Sequence, residues 1–257
     1  MKYEIKYSPA YALLEVILDS NEIIVAEAGA MVYMTPQINV KTRKREERNI
    51  LQTLKTSLLG SESFFLNEYV ADKGSGKVGF VPAPVGDIRA FDVKAGKGFI
   101  LQKSAYVAST KDVKIDTEWQ GFKRGLFGQN LFMLKISGEG KMFVNAFGAI
   151  DHHTLNSGES LVVDNFHIVA FDDTCKYDVK KFGGLKSTIL GGEGLVTEIT
   201  GPGEVYIQTK NLREFTDWLW QLLSSRVEFT ARRIADEKSG PPGLGKPPGF
   251  SFGKPKV

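Results

Sequence analysis

The chain has 257 residues, of which 42% are hydrophobic and 25% charged, a composition typical of a globular protein with a sizeable core. Its net charge of +3 is too small to indicate a polyanionic partner, and no DNA partner is expected. The single cysteine, Cys175, excludes an internal disulfide framework and fits a reducing compartment. The sequence carries no recognisable secretory signal and no apolar window of roughly 18 residues. We therefore expect a cytoplasmic protein.

Two sequence markers each occur three times in the same order. The first is a Leu-Gly-Gly-Glu-like box at residues 59–65, 127–133 and 190–196, and the second is a Gly-x-Gly turn that follows each box. The second glycines of the turns, Gly76, Gly140 and Gly203, are 64 and 63 residues apart. A steady period of this kind predicts three copies of one structural unit. The predicted boundaries are residues 1–95, 96–156 and 157–210.

Residues 1–210 are predicted to form strands. Segments 12–18 and 22–26 are short, rich in β-branched residues and bounded by turn formers, while segments 113–116 and 205–208 alternate apolar and polar residues. Turn signals recur every eight to twelve residues, which favours a sandwich or barrel over alternating strands and helices. The marker glycines are predicted to supply positive φ angles or close strand approach. The predicted class is all-β.

A charged insert at residues 41–56 interrupts the first copy. Its basic side chains form the candidate contact surface for RNA or an acidic membrane, and two glutamates reduce their net charge; the basic residues are Lys41, Arg43, Lys44, Arg45 and Arg48. In an oligomer this surface would be present several times, which would add avidity. A solvated charged loop is the favoured interpretation.

The pattern changes to a helical period over residues 211–238. Asn211 is a candidate N-cap with Glu214 at the third helical position, and apolar residues recur at helical spacing. Three large apolar side chains are candidate packing or interface residues: Trp218, Trp220 and Leu222. A membrane-interface role is the alternative, and packing is favoured. The Pro/Gly-rich tail at residues 239–257 is predicted to be flexible.

Enzymatic chemistry has little support in the sequence. His152, His153 and His167 are candidate metal ligands, but adjacent histidines on a strand point to opposite faces. Cys175 lies among carboxylates that would raise a thiol pKa, which indicates a structural cysteine. The run Gly191–Gly194 is followed by neither a Walker lysine nor a helix start, so it is interpreted as a hairpin. No catalytic residue, metal ligand or cofactor is predicted.

The triple marker, the box at residues 190–195 and the hairpin at residues 201–205 resemble the altered-inheritance-of-mitochondria family over roughly residues 1–218. The resemblance implies three units like the subunit of the tryptophan RNA-binding attenuation protein, each a short double-stranded β-helix or small sandwich. It also implies a ring-like homotrimer with no established enzymatic activity. The leading hypothesis is a non-enzymatic oligomeric β scaffold that acts by binding. The alternatives are a metal- or small-molecule-dependent, cupin-like β-helix enzyme, and an RNA-binding ring by fold analogy.

Overall fold

Short antiparallel strands make up most of the described fold. The computed structural model describes residues 1–42, 65–82, 84–116, 133–181 and 195–224. The strands in these ranges confirm the predicted all-β class. In chain order they are β1 (Lys2–Lys6), β2 (Leu13–Leu18), β3 (Ile23–Glu27), β4 (Met31–Met34), β5 (Ile38–Thr42), β6 (Leu66–Ala71), β7 (Gly76–Phe80), β8 (Ile88–Val93), β9 (Phe99–Gln102), β10 (Tyr106–Thr110), β11 (Val113–Asp116), β12 (Met133–Gly138), β13 (Gly140–Asn145), β14 (Ile150–Leu155), β15 (Ser160–Asp164), β16 (Ile168–Asp172), β17 (Lys176–Lys181), β18 (Leu195–Thr200) and β19 (Gly203–Gln208).

After β1, the strands form three sets that pair in the same way. Set 1 is β2–β7, set 2 is β8–β13 and set 3 is β14–β19. In every set the first strand pairs with the sixth and the sixth with the third. The second strand pairs with the fifth and the fifth with the fourth. Each set therefore contributes two groups of three antiparallel strands.

Consecutive sets are joined by strand pairing across their boundary. The second strand of one set pairs with the third strand of the next, so β3 pairs with β10 and β9 pairs with β16. These two pairings, called the internal joints below, create two six-stranded sheets: β5-β6-β3-β10-β13-β8 and β11-β12-β9-β16-β19-β14. The end sheets are smaller, with the orders β1-β2-β7-β4 and β15-β18-β17.

Three hydrophobic clusters lie in the interior, and each is drawn mainly from one set. The alternation of a strand explains their composition, because residues two apart point to the same face. In β2, for example, Leu14, Val16 and Leu18 are fully buried in the first cluster. Aromatic rings complete the packing, as where Tyr69 meets Phe80 edge to face with ring centroids 5.1 Å apart.

The second glycine of each Gly-x-Gly marker opens the sixth strand of its set. The backbone N–H of the residue after that glycine donates a hydrogen bond to a side chain at the C-terminal end of the third strand, which is the last residue of β10 and β16 and the residue directly after β4. The pairs are Lys77 N–H to Thr35 Oγ1 at 3.0 Å, Lys141 N–H to Thr110 Oγ1 at 3.1 Å, and Glu204 N–H to Asp172 Oδ2 at 3.1 Å. A Cβ on Gly140 would lie 2.0 Å from Thr110 Oγ1, and one on Gly203 would lie 2.9 Å from Asp172 Cβ. In β13 and β19 the glycine is therefore required by close approach, as predicted, and both glycines also have positive φ.

The strands belong to a compact unit, Met1–Leu212, and a second unit comprises Arg213–Val257. Helix α1 covers residues 212–224 and begins directly after Asn211, the predicted N-cap. The remainder of the predicted helix and the tail at residues 239–257 lie outside the described residues. Within the described part of the chain, no helix is both long and apolar enough to cross a bilayer.

Candidate functional site: two unpaired strand edges

Two strands lack a neighbour that their counterparts in the other sets have. β4 is the third strand of set 1, and β15 is the second strand of set 3. The equivalent strands of the other sets form the internal joints. Among the described residues, β4 pairs with β7 alone and β15 pairs with β18 alone. Each of the two strands therefore presents one row of backbone N–H and C=O groups without a strand partner in that part of the chain.

A shared bulge aligns the three third strands residue by residue. The register shift lies between residues 31 and 33 in β4, 106 and 108 in β10, and 168 and 170 in β16. Met34 therefore corresponds to Ser109 and Phe171. Met34 is 40% exposed, whereas Ser109 is 1% exposed and Phe171 is fully buried. All four residues of β4 are exposed, which includes two methionines, a valine and a tyrosine.

The second strands are aligned by the links that follow them. In each set, three residues separate the end of the second strand from the start of the third. This equal spacing makes Val162 of β15 equivalent to Val25 of β3 and Ile100 of β9. Val162 is 54% exposed, while Val25 and Ile100 are each 3% exposed because they lie in internal joints. The exposed edges at the two ends of the chain thus carry apolar side chains whose counterparts are buried.

The β4 edge also differs from its counterparts in the residues that pair across to the sixth strand. In sets 2 and 3 an alanine faces an aromatic residue, namely Ala108 opposite Phe143 and Ala170 opposite Tyr206. In set 1 the sizes are reversed, with Tyr33 opposite Gly79. A Cβ on Gly79 would lie 2.4 Å from the Tyr33 ring, so the glycine is required for the tyrosine to occupy this position.

A carboxylate holds Tyr33 in place. The Tyr33 hydroxyl donates a hydrogen bond to Glu15, and Glu15 also contacts Lys6 Nζ at 3.0 Å and Lys77 Nζ at 3.1 Å. The hydrogen bond from Tyr33, followed by that from Lys6, lowers the pKa of Glu15 to about 2. Burial and the same hydrogen bond raise the pKa of Tyr33. Glu15 is therefore an anion at neutral pH and fixes the residue at the centre of the β4 edge.

A cleft of about 260 Å³ lies where set 2 meets set 3. Its cationic side chains are Arg89, Lys94 and Lys97, and its aromatic rings are Phe91, Phe99 and Tyr206. Asp172 lies in this cleft, is 1% exposed and forms an ion pair with Lys97 at 2.9 Å. The other carboxylate oxygen, Asp172 Oδ1, has no hydrogen-bond partner among the described residues. Since threonine accepts the equivalent backbone hydrogen bond in sets 1 and 2, this hydrogen bond does not itself require a carboxylate at position 172.

Comparison with known proteins identifies the family of this chain. A family model described as mitochondrial biogenesis AIM24 matches residues 3–210. The chain belongs to the AIM24 family. It is 29% identical over 229 residues to an uncharacterised protein of Streptococcus pyogenes serotype M6, a match that spans 87% of this chain and 91% of the relative. It is also similar to an X-ray crystal structure of a Streptococcus pyogenes protein, with a TM-score of 0.72 and 28% identity, over 86% of this chain and 99% of that one.

The family match confirms the resemblance noted from the glycine markers, but it assigns no residue a function. Of the basic cluster in this AIM24 chain, Lys41 lies in β5, opposite Glu68 of β6. Arg43, Lys44, Arg45 and Arg48 lie outside the described residues, as does most of the insert at residues 41–56. Contact of this cluster with RNA or a membrane stays a prediction.

The three predicted interface residues of the C-terminal segment lie on helix α1. The side chains of Trp218, Trp220 and Leu222 are exposed, as are those of Phe215 and Leu219. Phe215 and Trp218 pack against each other with ring centroids 5.8 Å apart. Their role in packing or in an interface stays a prediction.

The three histidines contact different residues. His152 contacts Glu204 at 3.3 Å and stacks on Tyr206, while His153 contacts Asp151 at 3.4 Å. His167 Nδ1 lies 2.7 Å from the Gln208 carbonyl oxygen. Within the described ranges, no three His, Cys, Asp or Glu side chains form a group that could hold a metal ion.

Cys175 is buried, in keeping with the structural role predicted from its neighbours. Burial is the main cause that raises its thiol pKa to about 11, and Asp172 and Glu204 add to the effect. The neighbouring carboxylates can be read from the sequence, but the burial, which is the larger cause of the raised pKa, cannot. The strands that form the two exposed edges are not predictable from the sequence, since nothing in the residues of β4 or β15 marks an absent neighbour.

Proposed function

We propose that this AIM24 chain is a non-enzymatic scaffold that acts by binding and assembles as a ring-like homotrimer in the cytoplasm. In this proposal the three strand sets are three short double-stranded β-helix repeats, and three chains supply nine of them. The single cysteine supports a reducing compartment. The ring would hold its partners on surfaces that occur in several copies.

One observation carries the proposal: consecutive sets are joined by pairing a second strand with a third strand, and among the described residues one strand of each kind lacks this partner. The internal joints β3–β10 and β9–β16 are two examples of this pairing. In the part of the chain that the structure describes, β15 is the second strand without a third-strand partner, and β4 is the third strand without a second-strand partner. Pairing β15 of one chain with β4 of another would continue the same rule.

Edge pairing of this kind is head to tail, because the two partners contribute different surfaces. Such an interface gives a ring when the rotation between chains closes, and a filament when it does not. A closed ring leaves neither β4 nor β15 exposed, which removes two apolar edges that would otherwise promote aggregation. The number three comes from the family resemblance.

The experiment that tests this proposal is light-scattering mass on the purified chain, with elemental analysis of the same peak. We expect a mass three times the 28.4 kDa of one chain and no stoichiometric metal. A monomer that carries one metal ion per chain would overturn the proposal and direct attention to His152, His153 and His167.

A further inference from the structure

The internal joints fix more than the identity of the paired strands. We propose that β4 of one copy pairs with β15 of a second copy in an antiparallel register that places Tyr33 opposite Val163, Met34 opposite Val162 and Thr35 opposite Leu161. This inference rests on the proposed assembly and defines the interface between its chains at the level of single residues.

The register follows from the two internal joints, which agree with each other. In the first joint Ser109 is opposite Val25, and in the second Phe171 is opposite Ile100. Ser109 and Phe171 are the counterparts of Met34 through the shared bulge. Val25 and Ile100 are the counterparts of Val162 through the equal three-residue links. Met34 therefore meets Val162 if the third joint is built like the first two.

The neighbouring positions give the same register. Ala108 is opposite Ala26 in the first joint, and Ala170 is opposite Leu101 in the second. Their counterparts at the chain ends are Tyr33 on β4 and Val163 on β15. One register thus accounts for every pair of residues in both internal joints, and no shift is needed to carry it to the ends.

The side chains at the two edges suit this pairing. Met34 and Val162 are both apolar and exposed, and directly opposite residues of an antiparallel pair bring their Cβ atoms to about 4.5–5.5 Å. Pairing would bury both residues, as their counterparts are buried in the internal joints. Tyr33, held by Glu15, would add an aromatic ring where the internal joints have Ala108 and Ala170.

Pairing of β4 with a second β4 is not expected. Both internal joints combine a second strand with a third strand, and neither combines two strands of the same kind. A β4–β4 contact would also leave β15 without a partner on both chains. The partner of the β4 edge is therefore the β15 edge of another copy.

The test is a pair of cysteines at the proposed contact, Met34→Cys with Val162→Cys, in a Cys175→Ser background whose mass has first been measured. Mild oxidation, or a short thiol-specific crosslinker, should link each chain to both neighbours and give a covalent trimer on a non-reducing gel. The matched control is Met34→Cys with Ser160→Cys. Ser160 is exposed on the same strand, two residues from Val162, and should crosslink at least tenfold more slowly.

Each outcome of the crosslinking test separates the register from the assembly. A trimeric mass with rapid linkage of the Met34–Val162 pair alone supports both. A trimeric mass without that linkage, or with equal linkage of the control, overturns the register and leaves the assembly standing. Covalent dimers from Met34→Cys alone would show β4–β4 pairing and overturn the register. A monomeric background protein would overturn both proposals.

A second variant tests the interface without a crosslink. Val162→Lys places a charge on the β15 edge, which blocks edge pairing. Within the same chain the new lysine can form an ion pair with Glu198, which lies opposite residue 162 on β18. We expect the mass to fall from three chains to one. Val85→Lys is the matched control, because Val85 is 53% exposed, close to the 54% of Val162, but lies outside both edges. An unchanged mass for Val162→Lys, or an equal fall in the control, would overturn the interface.

Discussion

Strands β4 and β16 occupy the same position in their sets, yet one is exposed along its length and the other is fully buried. Both pair with the sixth strand of their set, and both carry the same bulge. In both, a side chain at the C-terminal end of the strand accepts a hydrogen bond from the neighbouring strand, Thr35 directly after β4 and Asp172 as the last residue of β16. The difference is that β16 also pairs with β9 of the preceding set, whereas β4 pairs with β7 alone among the described residues. In this fold, burial of the third strand is therefore determined by the adjoining set.

The largest expected effect comes from truncating Phe171 of β16, the buried counterpart of Met34 in β4. Phe171→Ala should lower the free energy of unfolding by about 3–5 kcal/mol, because it leaves a cavity in the third core. Met34→Ala at the equivalent position of β4 should change it by no more than about 0.5 kcal/mol when the Val162→Lys change is also present. Urea unfolding of both variants measures the difference. Equal losses would contradict the view that the neighbouring set determines burial.

The second prediction concerns Glu15, the carboxylate that holds Tyr33 of β4 in place. Glu15 has a folded-state pKa of about 2, below its ordinary value of 4.5, so its ionised form stabilises the fold above pH 4.5. This stability is lost as the pH falls from about 4.5 towards 2. Glu15→Gln should cost up to about 3 kcal/mol at pH 7, and the gap to the wild type should close on acidification.

Thermal or urea unfolding between pH 7 and pH 2.5 measures this gap. Glu139→Gln, at an exposed glutamate of the β12–β13 hairpin, reports the general effect of removing one carboxylate. A gap for Glu15→Gln that stays constant with pH would show that the carboxylate does not act through its ionised form.

The third prediction concerns the reversed sizes of Tyr33 and Gly79. Gly79→Ala should destabilise the protein by about 1–3 kcal/mol, since the new Cβ would overlap the Tyr33 ring. The double variant Tyr33→Ala with Gly79→Phe copies the arrangement of Ala108 and Phe143 and should lose less stability than Gly79→Phe alone. A double-mutant cycle built from the single and double variants measures the coupling. If the stability losses of the two single variants simply add in the double variant, the side-chain sizes at positions 33 and 79 are not coupled.

The smallest effect is expected at Asp172, where set 3 differs from sets 1 and 2. Asp172→Thr keeps an acceptor for the Glu204 N–H and removes a buried carboxylate oxygen that has no partner among the described residues. The free energy of unfolding at pH 7 should rise by up to about 1 kcal/mol, since the lost ion pair involves the half-exposed Lys97. Asp172→Ala also removes the acceptor of the Glu204 N–H hydrogen bond and should instead lower the free energy of unfolding. A loss of stability in the threonine variant would assign Asp172 a structural role of its own.

Much of the strand architecture was open to prediction from the sequence. Alternating apolar residues and regular turn signals predict the all-β class. The glycines that open β13 and β19 are required because Thr110 and Asp172 lie too close for a Cβ. The first glycine of the marker is less regular, since the hairpin between β6 and β7 is longer than its counterparts. The spacing of the markers reflects the repeated pairing and does not show where each set begins.

The candidate site could not be predicted in the same way. β4 is exposed because, among the described residues, it has only one neighbouring strand. The number of neighbouring strands depends on the topology of the whole fold and cannot be read from residues Met31–Met34. The Asp172 cleft combines a segment from β8 to β9 with residues of β16 and β19, which lie far from that segment in the sequence. The sequence signals that did stand out, the basic insert and the tryptophans of helix α1, reflect local composition and not the arrangement of sets.

Within the described residues, the chain carries one free edge of each joining kind, β4 at one end and β15 at the other. In the language of polymer chemistry it is a bifunctional monomer with two unlike reactive ends. Monomers of this type form chains or cycles but cannot branch, because no molecule has a third end to offer. Assembly through these two edges is therefore confined to linear or cyclic products, and closing the cycle consumes the last free ends and stops growth.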